Sequence, residues 1–189
     1  MGCGQISFLG QTHAACRGRN VTLDGLMVAA DYRQPSIQNL IWRLKYDSVK
    51  AMSEPLALLL ADFFLGRDLS DFFANAVVVP VPLHRRRQRL RGFNQAAILA
   101  QEFAGRLGLE YLPILERLKN NRRQTELPRE ERLQNVQNLF RVQAVPSLGE
   151  RKIILLDDVA TTGATLNECA KVLRIQKPSE IWGLVVARN

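Results

Sequence analysis

The chain has 189 residues, of which 47% are apolar and 23% are charged. This composition is typical of a soluble globular protein, and the length is enough for one well-buried domain with a short appendage. We expect no membrane span, because no apolar run approaches the ~20 residues that one needs, and we expect no secretory signal. Three cysteines give no disulfide framework, so we expect a cytoplasmic protein.

The net charge of +8 favours phosphate-bearing partners over acidic proteins. Basic residues are concentrated in two segments, 84–91 and 117–132, which we interpret as arginine-rich loops on either side of a predicted helix. Solubility alone would also explain a basic excess, but two such dense segments favour a bound anion.

The hydrophobic pattern alternates between strands and helices. In chain order it predicts a strand at 23–32, helices at 37–46 and 53–64, a strand at 76–81, a helix at 94–107, a strand at 153–156, a helix at 164–174 and a strand at 181–187. Ser36 is expected to cap the first helix, and Gly108 to end the third. Strands alternating with helices predict an α/β domain with a mostly parallel sheet flanked by helices.

The sequence LLDDVATTGAT, residues 155–165, joins a predicted strand to the following helix. In open parallel sheets, ligands bind beyond the carboxyl ends of the strands, and a helix N-terminus attracts phosphate. We therefore expect the turn to hold a phosphate through its hydroxyls and backbone N–H groups, while the carboxylates of Asp157 and Asp158 accept hydrogen bonds from sugar hydroxyls. An ordinary helix entry with threonine caps is the alternative.

This motif resembles the phosphoribosyl pyrophosphate (PRPP) motif of type I phosphoribosyltransferases. The resemblance implies that Asp157 and Asp158 bind the ribose hydroxyls and that Asp158 helps to stabilise charge on the ribose ring in the transition state. It further implies a 5′-phosphate site in the turn formed by Ala160, Thr161, Thr162, Gly163, Ala164 and Thr165.

A second candidate segment follows the strand predicted at 76–81. Leu83, His84 and Arg85 could offer backbone N–H groups and cations to a pyrophosphate, which requires several such donors or Mg²⁺. A solvated basic loop is the alternative, and His84 alone would more often be a surface or packing histidine.

Three longer segments narrow the resemblance to the ComF family of competence proteins (ComF and ComFC, with a bacterial branch called GntX). They are LIWRLKYDSVKAMSEPLALLLADF at 40–63, PVPLHRRRQRLRGFNQA at 80–96 and LKNNRRQTELPREERLQNVQNLFRV at 118–142. The resemblance implies a type I phosphoribosyltransferase fold, PRPP with Mg²⁺ as ligands, and a flexible hood over the ligand that includes Lys119, Arg122, Arg123 and Gln124.

The amino terminus resembles a degenerate form of the zinc ribbon that is common in this family. Cys3, His13 and Cys16 supply three candidate ligands, whereas a structural zinc site has four. We therefore favour a metal-free remnant over a structural Zn²⁺ site. The predicted organisation is an irregular segment at 1–22 and a phosphoribosyltransferase-like domain at 23–189.

Three functions remain open from the sequence. The first is a phosphoribosyltransferase with an unknown acceptor, which the resemblance places in DNA uptake during natural transformation, near other competence proteins at the inner face of the membrane. The second is a non-catalytic module that binds single-stranded DNA through its arginines. Phe93 and Tyr111 could stack on its bases, but packing in the core is the favoured interpretation of both. The third is a nucleobase salvage enzyme.

Overall fold

The computed structural model of the chain describes residues 11–12, 21–46, 50–119, 139–143 and 148–189. Its centre is a five-stranded parallel sheet in the order β1-β7-β6-β2-β3. These strands are β1 (Gly25–Asp31), β2 (Val77–Pro80), β3 (Glu110–Tyr111), β6 (Ile153–Ala160) and β7 (Ile181–Arg188). A separate antiparallel pair consists of β4 (Leu115–Arg117) and β5 (Phe140–Val142).

Helices cover both faces of this sheet. They are α1 (Pro35–Tyr46), α2 (Ser53–Leu65), α3 (Arg85–Arg91), α4 (Gln95–Leu107) and α5 (Ala164–Leu173), with short 3₁₀ turns at Lys50–Met52 and Arg174–Gln176. The predicted helix end at Gly108 is confirmed: this residue has a φ of 67°, and its N–H donates to the carbonyl oxygen of Ala104. No described helix is long and apolar enough to cross a membrane.

Alternate residues of the central strands supply two hydrophobic cores, as the period-two geometry of a strand requires. On one face, Val78, Ile154 and Leu184 pack with α1, α2 and α4. On the other face, Val77, Ile153 and Val185 pack with α5 and the β4–β5 pair. Cys169 is fully buried in this second core, as expected of a small hydrophobic residue.

The strand order creates a crevice at the centre of the sheet. From β2 the chain proceeds to β3 at one edge, whereas from the adjacent β6 it proceeds to β7 on the opposite side. The connections therefore diverge between β2 and β6, which makes this the topological switch point of the sheet. Ligands of open α/β sheets bind at the carboxyl ends of the strands at such a point.

Several sequence expectations about local structure are wrong. Residues 85–91 form helix α3 and not a loop, and Ser36 lies inside α1, which begins at Pro35. Strand β6 does not end at Leu156 but continues through both aspartates to Ala160. The sequence pattern also missed β3, β4 and β5, each of which has only two or three residues.

Candidate active site

The described part of the chain forms a polar crevice at the carboxyl ends of β2 and β6. Residues from six helices and strands and from the connections between them line it: Lys45, Tyr46, Val81, Pro82, Leu83, Arg87, Arg91, Asn94, Gln95, Ala96, Arg117, Asp157, Asp158 and Thr165. Four of these side chains are cationic and two are acidic, so the crevice combines an excess of positive charge with one carboxylate-bearing wall.

The two acids occupy the end of β6 and have different partners. Asp158 is buried, and its Oδ1 lies 2.9 Å from Nζ of Lys45, which extends from the last turn of α1. Asp157 is partly exposed, and its Oδ1 accepts a hydrogen bond of 2.9 Å from the backbone N–H of Asp158. One carboxylate is therefore held in an ion pair, and the other faces the crevice without a described ion-pair partner of its own.

Burial and then the negative charge of Asp158 raise the pKa of Asp157 to about 7, although Lys45 and Arg117 oppose this change. For Lys45, burial by itself lowers the pKa, but attraction and hydrogen bonding to Asp158, with a contribution from Asp157, outweigh it and raise the pKa overall. The pair therefore keeps Lys45 charged, while Asp157 changes protonation state near neutral pH.

The turn at 160–165 lies between β6 and the N-terminus of α5. Gly163 precedes the helix with a φ of 75°, a conformation that glycine adopts without a Cβ penalty. The hydroxyl oxygen of Thr162 accepts a bond of 3.3 Å from the N–H of Ala164, and Thr165 reaches the crevice. Ala160 is buried, and Thr161 is partly exposed. A helix N-terminus beside threonine hydroxyls is suited to a phosphate group.

The three residues expected to contact pyrophosphate point in different directions. Leu83 lines the crevice. His84 caps α3, because its Nδ1 accepts a hydrogen bond from the N–H of Arg86. Burial and the nearby arginines, Arg117 first, lower the pKa of His84. Arg85 is exposed and pairs with Glu116 at 2.9 Å, beside a neighbouring pocket under the β4–β5 pair.

Most of the crevice residues were not among the sequence-predicted site, and Lys45, Arg87, Arg91, Asn94 and Arg117 are the main ones. Arg87 and Arg91 lie one turn apart on α3, so both reach the crevice from the same helix face. Arg117 enters from β4, and burial lowers its pKa. Asn94 donates from Nδ2 to the carbonyl oxygen of Val81, 3.0 Å away, which fixes the start of α4 against the end of β2.

Some predicted residues lie outside the described residues. This applies to Arg122, Arg123 and Gln124 of the expected hood and to Cys3, His13 and Cys16 of the expected zinc-ribbon remnant. Lys119 is described, and its carbonyl oxygen accepts a hydrogen bond of 3.3 Å from Nε of Arg117. Within the described residues, no group of three or more histidine, cysteine or acidic side chains could hold a metal ion.

Comparison with known proteins identifies the family to which this chain belongs. The family model of the phosphoribosyl transferase domain matches residues 90–189 of the sequence. The chain thus belongs to the phosphoribosyltransferase family, and its architecture is the type I phosphoribosyltransferase fold. This match covers α4, β6, the turn at 160–165 and α5.

Curated relatives identify the branch of that family. The chain is 33% identical to competence protein F of Haemophilus influenzae over 98% of this chain and 83% of that protein. It is 33% identical to the DNA utilization protein YhgH of Salmonella typhimurium over 78% of this chain and 65% of that protein. It is 36% identical to competence protein ComFC of Streptococcus pneumoniae over 58% of this chain and 46% of that protein. The chain is a member of the ComF family.

A solved structure with a similar fold is adenine phosphoribosyltransferase from Saccharomyces cerevisiae, with a TM-score of 0.42 and 16% identity over 70% of this chain and 68% of that chain. This similarity is too distant to carry an argument about the site.

Proposed function

We propose that the crevice between β2 and β6 binds PRPP and that the protein transfers its phosphoribosyl group to an acceptor. The observation that carries the proposal is the meeting of three features at the switch point of the sheet. These are two acids, a threonine-rich turn at a helix N-terminus, and the cations Lys45, Arg87, Arg91 and Arg117.

Each feature matches one part of PRPP. The turn at 160–165 would hold the 5′-phosphate, and Asp157 and Asp158 would accept hydrogen bonds from the ribose hydroxyls. The cations of α3 and β4, with the backbone near Leu83, would face the pyrophosphate. His84 and Arg85 were expected there too, but Arg87 and Arg91 are better placed because they line the crevice.

The reaction would be a displacement at the anomeric carbon. A nucleophilic atom of the acceptor forms a bond to this carbon, and the bond to pyrophosphate breaks with its electron pair leaving on the pyrophosphate oxygen. The acceptor's proton passes to solvent or to a basic group. The cations stabilise the charge on the leaving group, and the acids stabilise positive charge that develops on the ribose ring.

The donor set also fits Mg²⁺ in the form in which this ion accompanies phosphates. Mg²⁺ keeps several waters and uses one or two carboxylates together with substrate phosphate oxygens. Asp157 and Asp158 supply such carboxylates beside the proposed pyrophosphate position. When bound, the ion would neutralise pyrophosphate charge and so improve it as a leaving group.

A calorimetric titration with PRPP and Mg²⁺ tests the proposal. The wild-type chain should bind PRPP, and the double variant Asp157→Asn with Asp158→Asn should bind it at least about tenfold more weakly, because two charge-assisted hydrogen bonds are weakened. Glu150→Gln, an exposed acid outside the crevice, is the matched control and should bind normally. Undiminished affinity in the double variant would refute the assignment.

A second candidate is a module that binds single-stranded DNA with or without catalysis. Arg86 and Arg89 of α3 are exposed and do not line the crevice, so they remain available to a polyanion outside it. Names of relatives refer to competence and DNA utilization, which favours a role in DNA binding over nucleobase salvage. In this role the protein would act in the cytoplasm beside other competence proteins. If log affinity for single-stranded DNA does not fall with log salt concentration, the arginines do not bind its phosphates.

A further inference from the structure

An exposed aromatic pair lies beside the mouth of the crevice. Trp42 is 54% exposed and Tyr46 is 50% exposed, although both belong to a helix that is anchored in the core. Their ring centroids are 5.6 Å apart with planes inclined by 41°. Scattered exposed apolar side chains are common in soluble proteins, whereas two large rings packed together at the surface form a contiguous patch that is a candidate interaction site.

The geometry of α1 explains why these rings face outward. Ile37, Ile41 and Leu44 form its buried side. Trp42 and Tyr46 are four residues apart and therefore lie one above the other on a different side of the helix. Because the buried side fixes α1 against the core, the two rings form a preorganised surface whose orientation is set before any ligand binds.

Two arginines lie beside the pair. The guanidinium carbon of Arg91 lies 5.5 Å from the centroid of the Tyr46 ring, within the range of a cation–π contact. Arg43, three residues before Tyr46 on α1, is exposed and is a neighbour of Tyr46 on the helix surface. The exposed pair thus has positive charge beside it, which is complementary to a polyanion with planar apolar groups and less suited to a basic or purely apolar partner.

We propose that Trp42 and Tyr46 form a stacking platform for unpaired bases of a single-stranded nucleic acid, and that Arg91 links this platform to the crevice. Nucleic-acid proteins that read no sequence combine aromatic stacking surfaces with basic side chains that follow the phosphates. The platform differs from phosphate contacts through Arg86 and Arg89, because the bases would stack on Trp42 and Tyr46. Unpaired bases, and not phosphates alone, would then be the recognised feature.

The link to the crevice rests on the proposed PRPP function, whereas the platform does not. Tyr46 and Arg91 both line the crevice, and Arg91 also contacts the Tyr46 ring. PRPP in the crevice would engage Arg91 and place a second polyanion next to the bound nucleic acid. Binding of the two ligands should therefore be mutually weakening, and by thermodynamic reciprocity each lowers the affinity of the other by the same factor.

Fluorescence offers a direct test of the platform. The chain has two tryptophans, and Trp182 is only 3% exposed. A stacked base should therefore quench mainly Trp42. We expect a short oligothymidylate to quench this emission and a duplex of the same length to quench it far less. Equal quenching by the duplex would overturn the claim that unpaired bases are recognised.

Labelled oligothymidylate, followed by fluorescence anisotropy, measures the energetic contribution of each ring. Trp42→Ala and Tyr46→Ala should each bind about tenfold more weakly, the loss typical of removing one base-stacking side chain. Trp42→Phe should recover most of the affinity. Ile175→Ala, at an apolar residue that is 75% exposed, should bind like the wild type. Unchanged affinity in both aromatic variants would overturn the platform, as would sedimentation showing that Trp42→Ala dissolves a dimer.

A calorimetric titration separates this inference from the proposed function. Trp42→Ala should bind PRPP like the wild type, because Trp42 does not line the crevice. PRPP with Mg²⁺ should weaken oligothymidylate binding by the wild type and have less effect on Arg91→Gln. If PRPP binds but leaves the affinity for oligothymidylate unchanged, the link through Arg91 is wrong. If PRPP does not bind at all, the proposed function fails while the anisotropy result still decides the platform.

Discussion

Asp157 and Asp158 form an acidic pair whose burial has a cost for folding. Adjacent carboxylates repel each other, and burial removes them from water, so the ionised pair is unfavourable unless a cation compensates it. Lys45 compensates Asp158 directly, at 2.9 Å, whereas the pKa of Asp157 is raised to about 7. Ionisation of Asp157 should consequently lower the stability of the folded protein.

The first prediction concerns Asp157→Asn. Because the folded pKa is above the unfolded value of about 4, the wild type loses stability as pH rises from about 4 to about 7, and the variant does not. At pH 8 we expect the variant to be more stable by about 1–2 kcal/mol. This is below the roughly 4 kcal/mol of a full three-unit shift, since the partly exposed site is screened.

Chemical denaturation at a series of pH values measures this difference. The stability gain of Asp157→Asn should be largest above pH 7 and should shrink towards pH 4. A variant that is less stable than the wild type at pH 8, or a difference that does not depend on pH, would contradict the pKa argument.

The second prediction concerns Lys45→Met, which leaves Asp158 buried without its cation. Removing one partner of a buried ion pair is costly, and we expect the free energy of unfolding to fall by about 2–3 kcal/mol at pH 7. Adding Asp158→Asn to this variant should restore most of the loss, because position 158 then carries no unpaired charge. Additive losses in the double-mutant cycle would show that the two side chains are not coupled.

The sequence indicated the acids but not their cation. Asp157 and Asp158 stand out because they follow an apolar run and precede a hydroxyl-rich turn. Lys45 belongs to a distant helix, and nothing in the local pattern relates it to β6. The same holds for Arg117, whose three-residue strand β4 carries too little periodicity to be recognised.

At the scale of elements, α3 and the first turn of α5 both contribute residues that face the crevice. Helix α3 contains no buried residue, so it has no apolar face to reveal it in the sequence. His84 caps its start, and Gly92 ends it with a φ of 81°. The spacing of Arg87 and Arg91 could have indicated a shared helix face, but only if the segment had been recognised as helical.

The third prediction concerns Gly163→Ala, with Gly149→Ala as its control. Both glycines have positive φ values, 75° and 60°, so each substitution should lower the free energy of unfolding by about 1 kcal/mol. Only Gly163 lies in the proposed phosphate turn, and only its variant should also weaken PRPP binding. Equal PRPP affinities for the two variants, measured by calorimetry, would argue against a phosphate in this turn.

For the whole molecule, the fold class was predictable from the alternation of strands and helices, but the strand order was not. The sequence does not show that β6 inserts between β7 and β2, because this depends on packing between residues far apart in the chain. That insertion brings the arginines of α3 opposite the acids of β6. It thereby converts two separate sequence motifs into one site.

A crystal structure with PRPP and Mg²⁺ tests the central claim most directly. We expect the 5′-phosphate at the turn formed by residues 160–165, the ribose hydroxyls at Asp157 and Asp158, and the pyrophosphate facing Arg87 and Arg91. PRPP bound elsewhere, with the turn and both acids free of ligand, would contradict the account.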